Sequence, residues 1–163
     1  MFKFFKKSHN KTCHFVAPME GEIIPIQDVP DKVFSEKMMG DGFAIKPTNG
    51  LVCSPCDGEV LQIFPTNHAL VIHSTQGLDI ILHIGLDTVQ LKGEGFKRLV
   101  EVGAHVKSGD SLLQMDMEIM EKHSKCIISP IVITNIECIE SIKINYKTYK
   151  IKDNIGKVVM KEE

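Results

Sequence analysis

Turn signals interrupt this chain at short, regular intervals, and that spacing limits the folds that it can adopt. Clusters of glycine, proline, asparagine and aspartate recur roughly every 8–12 residues, with short runs of valine, isoleucine, leucine and phenylalanine between them. Such spacing is typical of a sandwich or barrel of antiparallel strands. We therefore predict an all-β fold, an antiparallel β-sandwich or barrel, with short helical turns at residues 95–101 and 117–123.

The length, charge and hydropathy of the chain limit the number of domains and the kinds of partner that it can have. Its 163 residues suffice for one domain, and we expect a flexible N-terminal segment over residues 1–14 and a single domain over residues 15–163. The formal net charge of −2 predicts no nucleic-acid partner, because such a partner requires a basic surface. No apolar run could cross a bilayer and no signal peptide is evident, so we predict a cytoplasmic protein. Phenylalanines and lysines in residues 1–11 leave open a peripheral contact with an anionic membrane surface.

The cysteines give no sign of a cofactor site. Their number, five, is odd, which argues against a framework of disulfides. Cys53 and Cys56 form a C-x-x-C motif, but no second pair follows to complete a zinc site. We predict a structural role for this motif and no required cofactor.

The strand-like run from Leu78 to Leu86 places a histidine opposite an aliphatic face. Alternate residues from Leu78 onwards are leucine or isoleucine, so His83 falls on the other face of the strand, together with Ile81. A preceding hairpin loop of four residues, 74–77, would place His68 directly opposite His83. The sequence therefore predicts two imidazole rings side by side, facing solvent.

Such a pair is suited to phosphoryl chemistry. A neutral imidazole nitrogen can attack a phosphoryl group, and a neighbouring ring can donate a hydrogen bond to its oxygens. The hydroxyl of Thr66 is close enough in sequence to orient one ring, and Asp31 and Asp87 are candidates for an acidic rim.

Several long motifs carry a resemblance to a known family. They are PTNHAL (65–70), LHIGLDTVQLKGEGF (82–96), APMEGEIIPIQDVPDKVFSEKMMGDGFAIKP (17–47), SPCDGEV (54–60) and VGAHVKSGD (102–110). In this order they resemble the glucose-type IIA component of the bacterial phosphoenolpyruvate:sugar phosphotransferase system, over roughly residues 15–143. The resemblance implies an antiparallel β-sandwich and a cytosolic phosphocarrier.

The resemblance also implies roles for individual residues. His83 would accept a phosphoryl group through Nε2 from the phosphohistidine of the carrier HPr. His68 would support its transfer to a cysteine on the IIB domain of a sugar permease (IICB), and Thr66 would orient His68. Partners would dock on an apolar surface with an acidic rim at Asp31 and Asp87. The apolar residues expected there are Val33, Phe34, Met38, Met39, Phe64, Leu70 and Ile81.

Regulation is a further implication of the resemblance. In enteric relatives the unphosphorylated protein binds other proteins, including glycerol kinase. There the two histidines can share a zinc ion with a carboxylate of the partner. His68 and His83 supply only half of a tetrahedral site, so zinc is expected only at a partner interface.

Three alternatives remain open on the sequence alone. A biotinyl or lipoyl carrier would need a lysine where Glu118, Ile119 and Met120 stand, and Lys122 is displaced from that position. A zinc peptidase would use the H-x-x-x-D spacing of His83 and Asp87, but the later H-x-H pair is missing. A purely regulatory binding module is the third alternative.

Overall fold

A computed structural model gives the structure of the protein and describes residues 11–162. Within these described residues there are fourteen strands and two α-helices, with three short 3-10 turns between them. The strands are β1 (Thr12–Val16), β2 (Gly21–Pro25), β3 (Asp41–Pro47), β4 (Leu51–Cys53), β5 (Gly58–Ile63), β6 (Ala69–Ser74), β7 (Asp79–His83), β8 (Phe96–Arg98), β9 (His105–Val106), β10 (Ser111–Met115), β11 (Ser129–Ile133), β12 (Ile139–Ile144), β13 (Thr148–Tyr149) and β14 (Asn154–Met160). The helices are α1 (Lys32–Ser35) and α2 (Met117–Lys122), and the 3-10 turns cover Ile26–Asp28, Thr88–Leu91 and Ile136–Cys138.

The strands form one large sheet and two small ones. The large sheet has the order β13-β2-β3-β11-β7-β6-β5-β9, and the small sheets have the orders β1-β14-β12 and β4-β10-β8. Every strand pairing is antiparallel. The predicted all-β antiparallel architecture is confirmed. The main core includes side chains from all three sheets, among them Ile80, Phe15 and Leu113.

A second, smaller apolar cluster covers the opposite face of the large sheet beside β7. It combines Ala44 and Val132 of the sheet with Phe34 of α1 and with Leu86 just after β7. Helix α1 is short, and its N-terminus is capped by Asp31, whose side chain accepts a hydrogen bond from the backbone N–H of Val33. This cluster therefore fixes α1 against the sheet at the end of β7.

One of the two predicted helical turns is confirmed. Helix α2 occupies Met117–Lys122, with Asp116 as its cap. The turn expected at residues 95–101 is wrong, because Phe96 pairs with Met115 and Arg98 with Leu113 in the sheet containing β8. Pairing with β10 outweighs the weak local helical pattern.

The folded part of the chain begins earlier than predicted. Thr12, Cys13 and His14 pair with β14, so they belong to β1 and not to a flexible segment ending at residue 14. Residues 1–10, on which the predicted membrane contact mostly depends, lie outside the described residues. Between residues 11 and 162 no helix has the length and apolar character that a membrane crossing requires.

Candidate functional site

The strand alternation around His83 is as predicted, but the hairpin register is not. Leu78, Ile80, Leu82 and Ile84 are all fully buried, and His83 lies on the other face of β7. However, Ala69 rather than His68 pairs with His83. The loop is three residues long, since the backbone N–H of Ser74 bonds to the carbonyl of Leu78.

The two rings nevertheless meet. Their centroids are 5.1 Å apart and their planes are inclined at 79°. His68 lies immediately before β6, and its carbonyl accepts a hydrogen bond from the N–H of Ile84. His68 is only 4% exposed, so the prediction that both rings face solvent is wrong for this residue.

Two phenylalanines hold the rings from outside. The ring of Phe34 packs against His83 with a centroid distance of 5.1 Å, and the ring of Phe64 meets His68 edge-on at 5.4 Å. Phe34 itself is buried. The imidazole pair is therefore set into an apolar wall, which limits ring motion and excludes water.

A backbone carbonyl determines which nitrogen of His83 is nucleophilic. The Nδ1 atom lies 2.8 Å from the carbonyl oxygen of Gly85. A carbonyl only accepts, so Nδ1 carries the hydrogen and Nε2 keeps its lone pair. The same peptide is held from its other side, because the N–H of Leu86 donates to the carbonyl of Cys126 at 2.9 Å.

Glycine is required at position 85 for two reasons. Its φ of +75° lies in the left-handed region, where other residues are strained. A Cβ atom there would also stand 2.5 Å from Cγ2 of Thr88 and 2.9 Å from the carbonyl oxygen of Cys126. The Cys126 carbonyl is the group that fixes this peptide, so a clash would displace the acceptor of His83.

We expect Gly85→Ala to destabilise the protein by about 2–3 kcal/mol, from backbone strain plus overpacking. Gly103→Ala is a matched control: its φ is +89°, but a Cβ atom would meet nothing within 4 Å. Only about 1 kcal/mol of backbone strain is expected there. Urea unfolding of both variants measures the difference, and equal losses would contradict the role of the clash.

The second imidazole, that of His68, is hydrogen-bonded to Thr66. The Oγ1 atom of Thr66 makes a short hydrogen bond to Nδ1 of His68. Burial lowers the pKa of His68 to about 4, and the neighbouring His83 adds to this shift. Burial likewise lowers the pKa of His83, opposed by its bond to Gly85 and by the charges of Asp31 and Asp87. Both rings are therefore neutral near pH 7.

The lowered pKa of His68 makes stability depend on pH. Between its ordinary value of 6.5 and about 4, the unfolded chain binds a proton that the folded protein does not. Stability should therefore fall as pH falls through this interval and level off above it. Urea unfolding at several pH values measures the slope, which should be shallower in His68→Gln. An unchanged slope in that variant would contradict this assignment.

Five of the seven apolar residues predicted for docking are at least partly exposed, and the other two, Phe34 and Leu70, are buried. Val33 is 40% and Met38 68% exposed, and Phe64, Met39 and Ile81 are partly exposed. Leu70 is fully buried, so its predicted docking role is wrong. It pairs with Leu82 and therefore shares the core face.

Sequence reasoning missed several residues of this surface and site. Val71 pairs with Ile81 on the face of His83 and is partly exposed, and Val89 in the following 3-10 turn is 51% exposed. Val71, rather than Leu70, is the residue of β6 that lies opposite Ile81 on this face. No sequence pattern pointed to the carbonyl of Gly85.

The described residues offer no metal site of their own. Within residues 11–162 no group of three or more histidine, cysteine or acidic side chains is arranged to hold a metal ion. The two imidazoles alone do not complete a zinc shell, so zinc would need ligands from another protein. In the C-x-x-C motif both thiols are buried, and Cys56 hydrogen-bonds to Cys13 rather than to Cys53.

Comparison with known proteins decides the family. The sequence matches the family described as phosphoenolpyruvate-dependent sugar phosphotransferase system, EIIA 1, over residues 13–139. The chain belongs to this EIIA family. The matched span contains both rings, Thr66 and Gly85, so the resemblance drawn from the motifs is confirmed.

Individual relatives of this EIIA chain extend the likeness. A PTS system glucose-specific EIIA component of Staphylococcus epidermidis is 50% identical over 138 residues, covering 85% of this chain and 83% of that protein. One from Bacillus cereus is 44% identical over 163 residues, covering 99% and 98%. The solved glucose permease IIA from Mycoplasma capricolum is 39% identical with a TM-score of 0.82, covering 91% of this chain and 96% of that one. The β-sandwich fold is therefore confirmed.

Proposed function

We propose that this EIIA chain is a cytoplasmic phosphocarrier for uptake of a sugar of the glucose type. It accepts a phosphoryl group from phospho-HPr on His83 and passes it to the IIB domain of a permease. The observation that carries this proposal is the bond from Nδ1 of His83 to the Gly85 carbonyl. It leaves the lone pair of Nε2 available beside a second imidazole.

The first step exchanges one phosphorus–nitrogen bond for another. The Nε2 lone pair of His83 attacks the phosphorus, and the bond to the donor imidazole breaks with its electron pair returning to the donor. In the second step a cysteine thiolate of IIB attacks the same phosphorus. The bond to Nε2 then breaks and its electron pair returns to His83.

His68 is proposed to stabilise the transferring group. When the hydroxyl of Thr66 donates to Nδ1 of His68, the ring's N–H is on Nε2. That N–H can donate to a phosphoryl oxygen held on the adjacent ring, 5.1 Å away between centroids. The burial of His68 and the partial burial of His83 strengthen such a bond, because they lower the local dielectric.

Charge and exposed apolar surface support docking of basic partners. Asp31 and Asp87 act electrostatically on His83, so both lie near the site without joining its hydrogen bonds. They would steer positively charged surfaces of HPr and IIB and raise encounter rates. The exposed apolar side chains near the acidic rim include Met38 and Met39. Methionine side chains are flexible, so this surface can adapt to more than one partner.

Regulatory binding is a secondary part of the proposal. The unphosphorylated chain would bind other proteins, such as a glycerol kinase, on the same surface. A zinc ion shared by His68, His83 and a partner carboxylate is proposed only within such a complex. Phosphorylation of His83 would remove a zinc ligand and add negative charge, so the two states would be exclusive.

The test is reconstitution of the relay. The purified chain is incubated with enzyme I, HPr and phosphoenolpyruvate, and the phosphorylated residue is mapped by mass spectrometry under alkaline conditions. We expect one acid-labile phosphoryl group, on His83, which moves to a cysteine when a glucose-type IIB domain is added. A chain that stays unlabelled but retains partners in a binding assay would support the purely regulatory alternative and overturn the proposal.

A further inference from the structure

The position of His68 cannot follow from regular strand pairing. Ala69 pairs with His83 and so shares its face of the sheet. A strand that continued regularly to residue 68 would turn the next side chain to the opposite face. Yet the rings of His68 and His83 are in contact. An irregular segment before β6 must therefore bring the second ring into place.

That segment bends at Asn67. Its φ is +57°, in the left-handed region, which asparagine tolerates better than most residues but which still costs free energy. The backbone N–H of Asn67 donates to the carbonyl of Phe64 at 2.7 Å, and the N–H of Phe64 donates to the carbonyl of Ala69 at 2.9 Å. This compact loop contains both Thr66 and His68.

A guanidinium from another sheet holds the bend. The Nε and Nη2 atoms of Arg98 both donate to Oδ1 of Asn67, at 3.2 and 3.1 Å. Arg98 lies on β8, in the sheet β4-β10-β8, where it pairs with Leu113. Arg98 also donates from Nη1 to the exposed carboxylate of Glu101 at 3.4 Å. Arg98 therefore ties the loop to a separate part of the fold.

We propose that Arg98 is a positioning residue for His68, acting through Asn67, and that it controls onward transfer of the phosphoryl group rather than its acceptance. This inference rests on the proposed function. Acceptance depends on Nε2 of His83, whose orientation is set by Gly85 and Phe34. The ring of His68, by contrast, depends on the loop that Arg98 restrains.

The test compares Arg98→Ala with Glu101→Gln, which neutralises the exposed carboxylate that also contacts Arg98 and leaves Asn67 untouched. We expect Arg98→Ala to accept phosphate from phospho-HPr at close to the wild-type rate. Its transfer to IIB should fall by about tenfold to a hundredfold, because misplacement of an assisting group costs that much. Glu101→Gln should behave as wild type in both steps.

Two further variants test the route through Asn67. Asn67→Gly keeps the left-handed backbone but removes the acceptor, so it should reproduce the defect of Arg98→Ala. Asn67→Asp keeps an acceptor oxygen and should retain onward transfer. Combining Asn67→Gly with Arg98→Ala should add little to either change alone, since both break the same bond.

A readout independent of phosphotransfer completes the test. In NMR spectra of the unphosphorylated chain, the cross-relaxation peaks between the rings of His68 and His83 should weaken in Arg98→Ala, because a released ring leaves its position 5.1 Å from the other ring, measured between centroids. Unchanged cross-peaks, or equal loss of both transfer steps, would overturn the inference. A wild-type chain that takes no phosphate would instead refute the proposed function, and these cross-peaks would still report on the contact between Arg98 and Asn67.

Discussion

His83→Gln is expected to take no phosphoryl group from phospho-HPr. Glutamine is close to histidine in size, and its amide can still donate to the carbonyl of Gly85. However, the lone pair of an amide nitrogen is delocalised and does not attack phosphorus. The loss should therefore be chemical, reducing label to background while the urea midpoint stays near the wild-type value.

His105→Gln is a suitable control for that experiment. His105 is an exposed histidine on β9, and β9 and β13 are the two edge strands of the large sheet. Its replacement should leave labelling unchanged. Label that persists in His83→Gln and maps to His68 would show that the second ring is the nucleophile and would refute the assignment.

His68→Gln is expected to separate the two halves of the relay. Glutamine preserves the approximate volume and a hydrogen-bond donor, so His83 should still accept phosphate. A glutamine at position 68, however, cannot become cationic. A phosphoryl group on His83 brings negative charge next to His68 and raises the pKa of that ring. The imidazolium so favoured would balance the charge as the group moves to IIB, and glutamine cannot supply this.

We expect transfer from His68→Gln to IIB to fall by about a hundredfold or more, the usual effect of losing one electrostatic stabiliser of a transition state. Single-turnover transfer from the isolated phosphoprotein measures this step alone. His73→Gln is the matched control: His73 lies on β6, and its Nδ1 is 2.6 Å from Asp79 Oδ1, with the side chain 46% exposed. Normal transfer by His68→Gln would refute the assisting role.

Local patterns predicted the fold and the orientation of His83. The alternation from Leu78 to Leu86 is visible in the sequence because every second residue meets the same core. The regular turn signals likewise predicted an antiparallel sheet. These features depend on near neighbours in the chain, and sequence patterns report such neighbours well.

The register of the hairpin could not be fixed by counting. The side chain of Ser74 accepts a bond from the N–H of Leu78, and Gly77 adopts a φ of +105°. Together they make a three-residue loop, whereas the spacing alone allowed four. A shift of one residue exchanges the faces of a strand, so counting alone could not establish which residues of β6 share the face of His83.

Contacts made by the backbone, or between segments far apart in the chain, could not be predicted from the sequence either. The acceptor of His83 is a backbone carbonyl, a group that every residue carries, so no residue type identifies it in the sequence. Arg98 and Asn67 are 31 residues apart; Arg98 lies on β8, whereas Asn67 lies in the loop before β6. The role of His68 was implied by family resemblance, and the register from which its proximity to His83 was first argued proved wrong.

The carbonyl of Gly85 has a consequence for how such a site can diverge. A carboxylate in its place would attract a proton to the nucleophilic ring and could be lost by one substitution. A peptide oxygen has no net charge, and no substitution at the rim removes it as long as residue 85 remains glycine. The choice of reactive nitrogen is therefore independent of the rim residues, which can change to suit new partners while the chemistry stays the same.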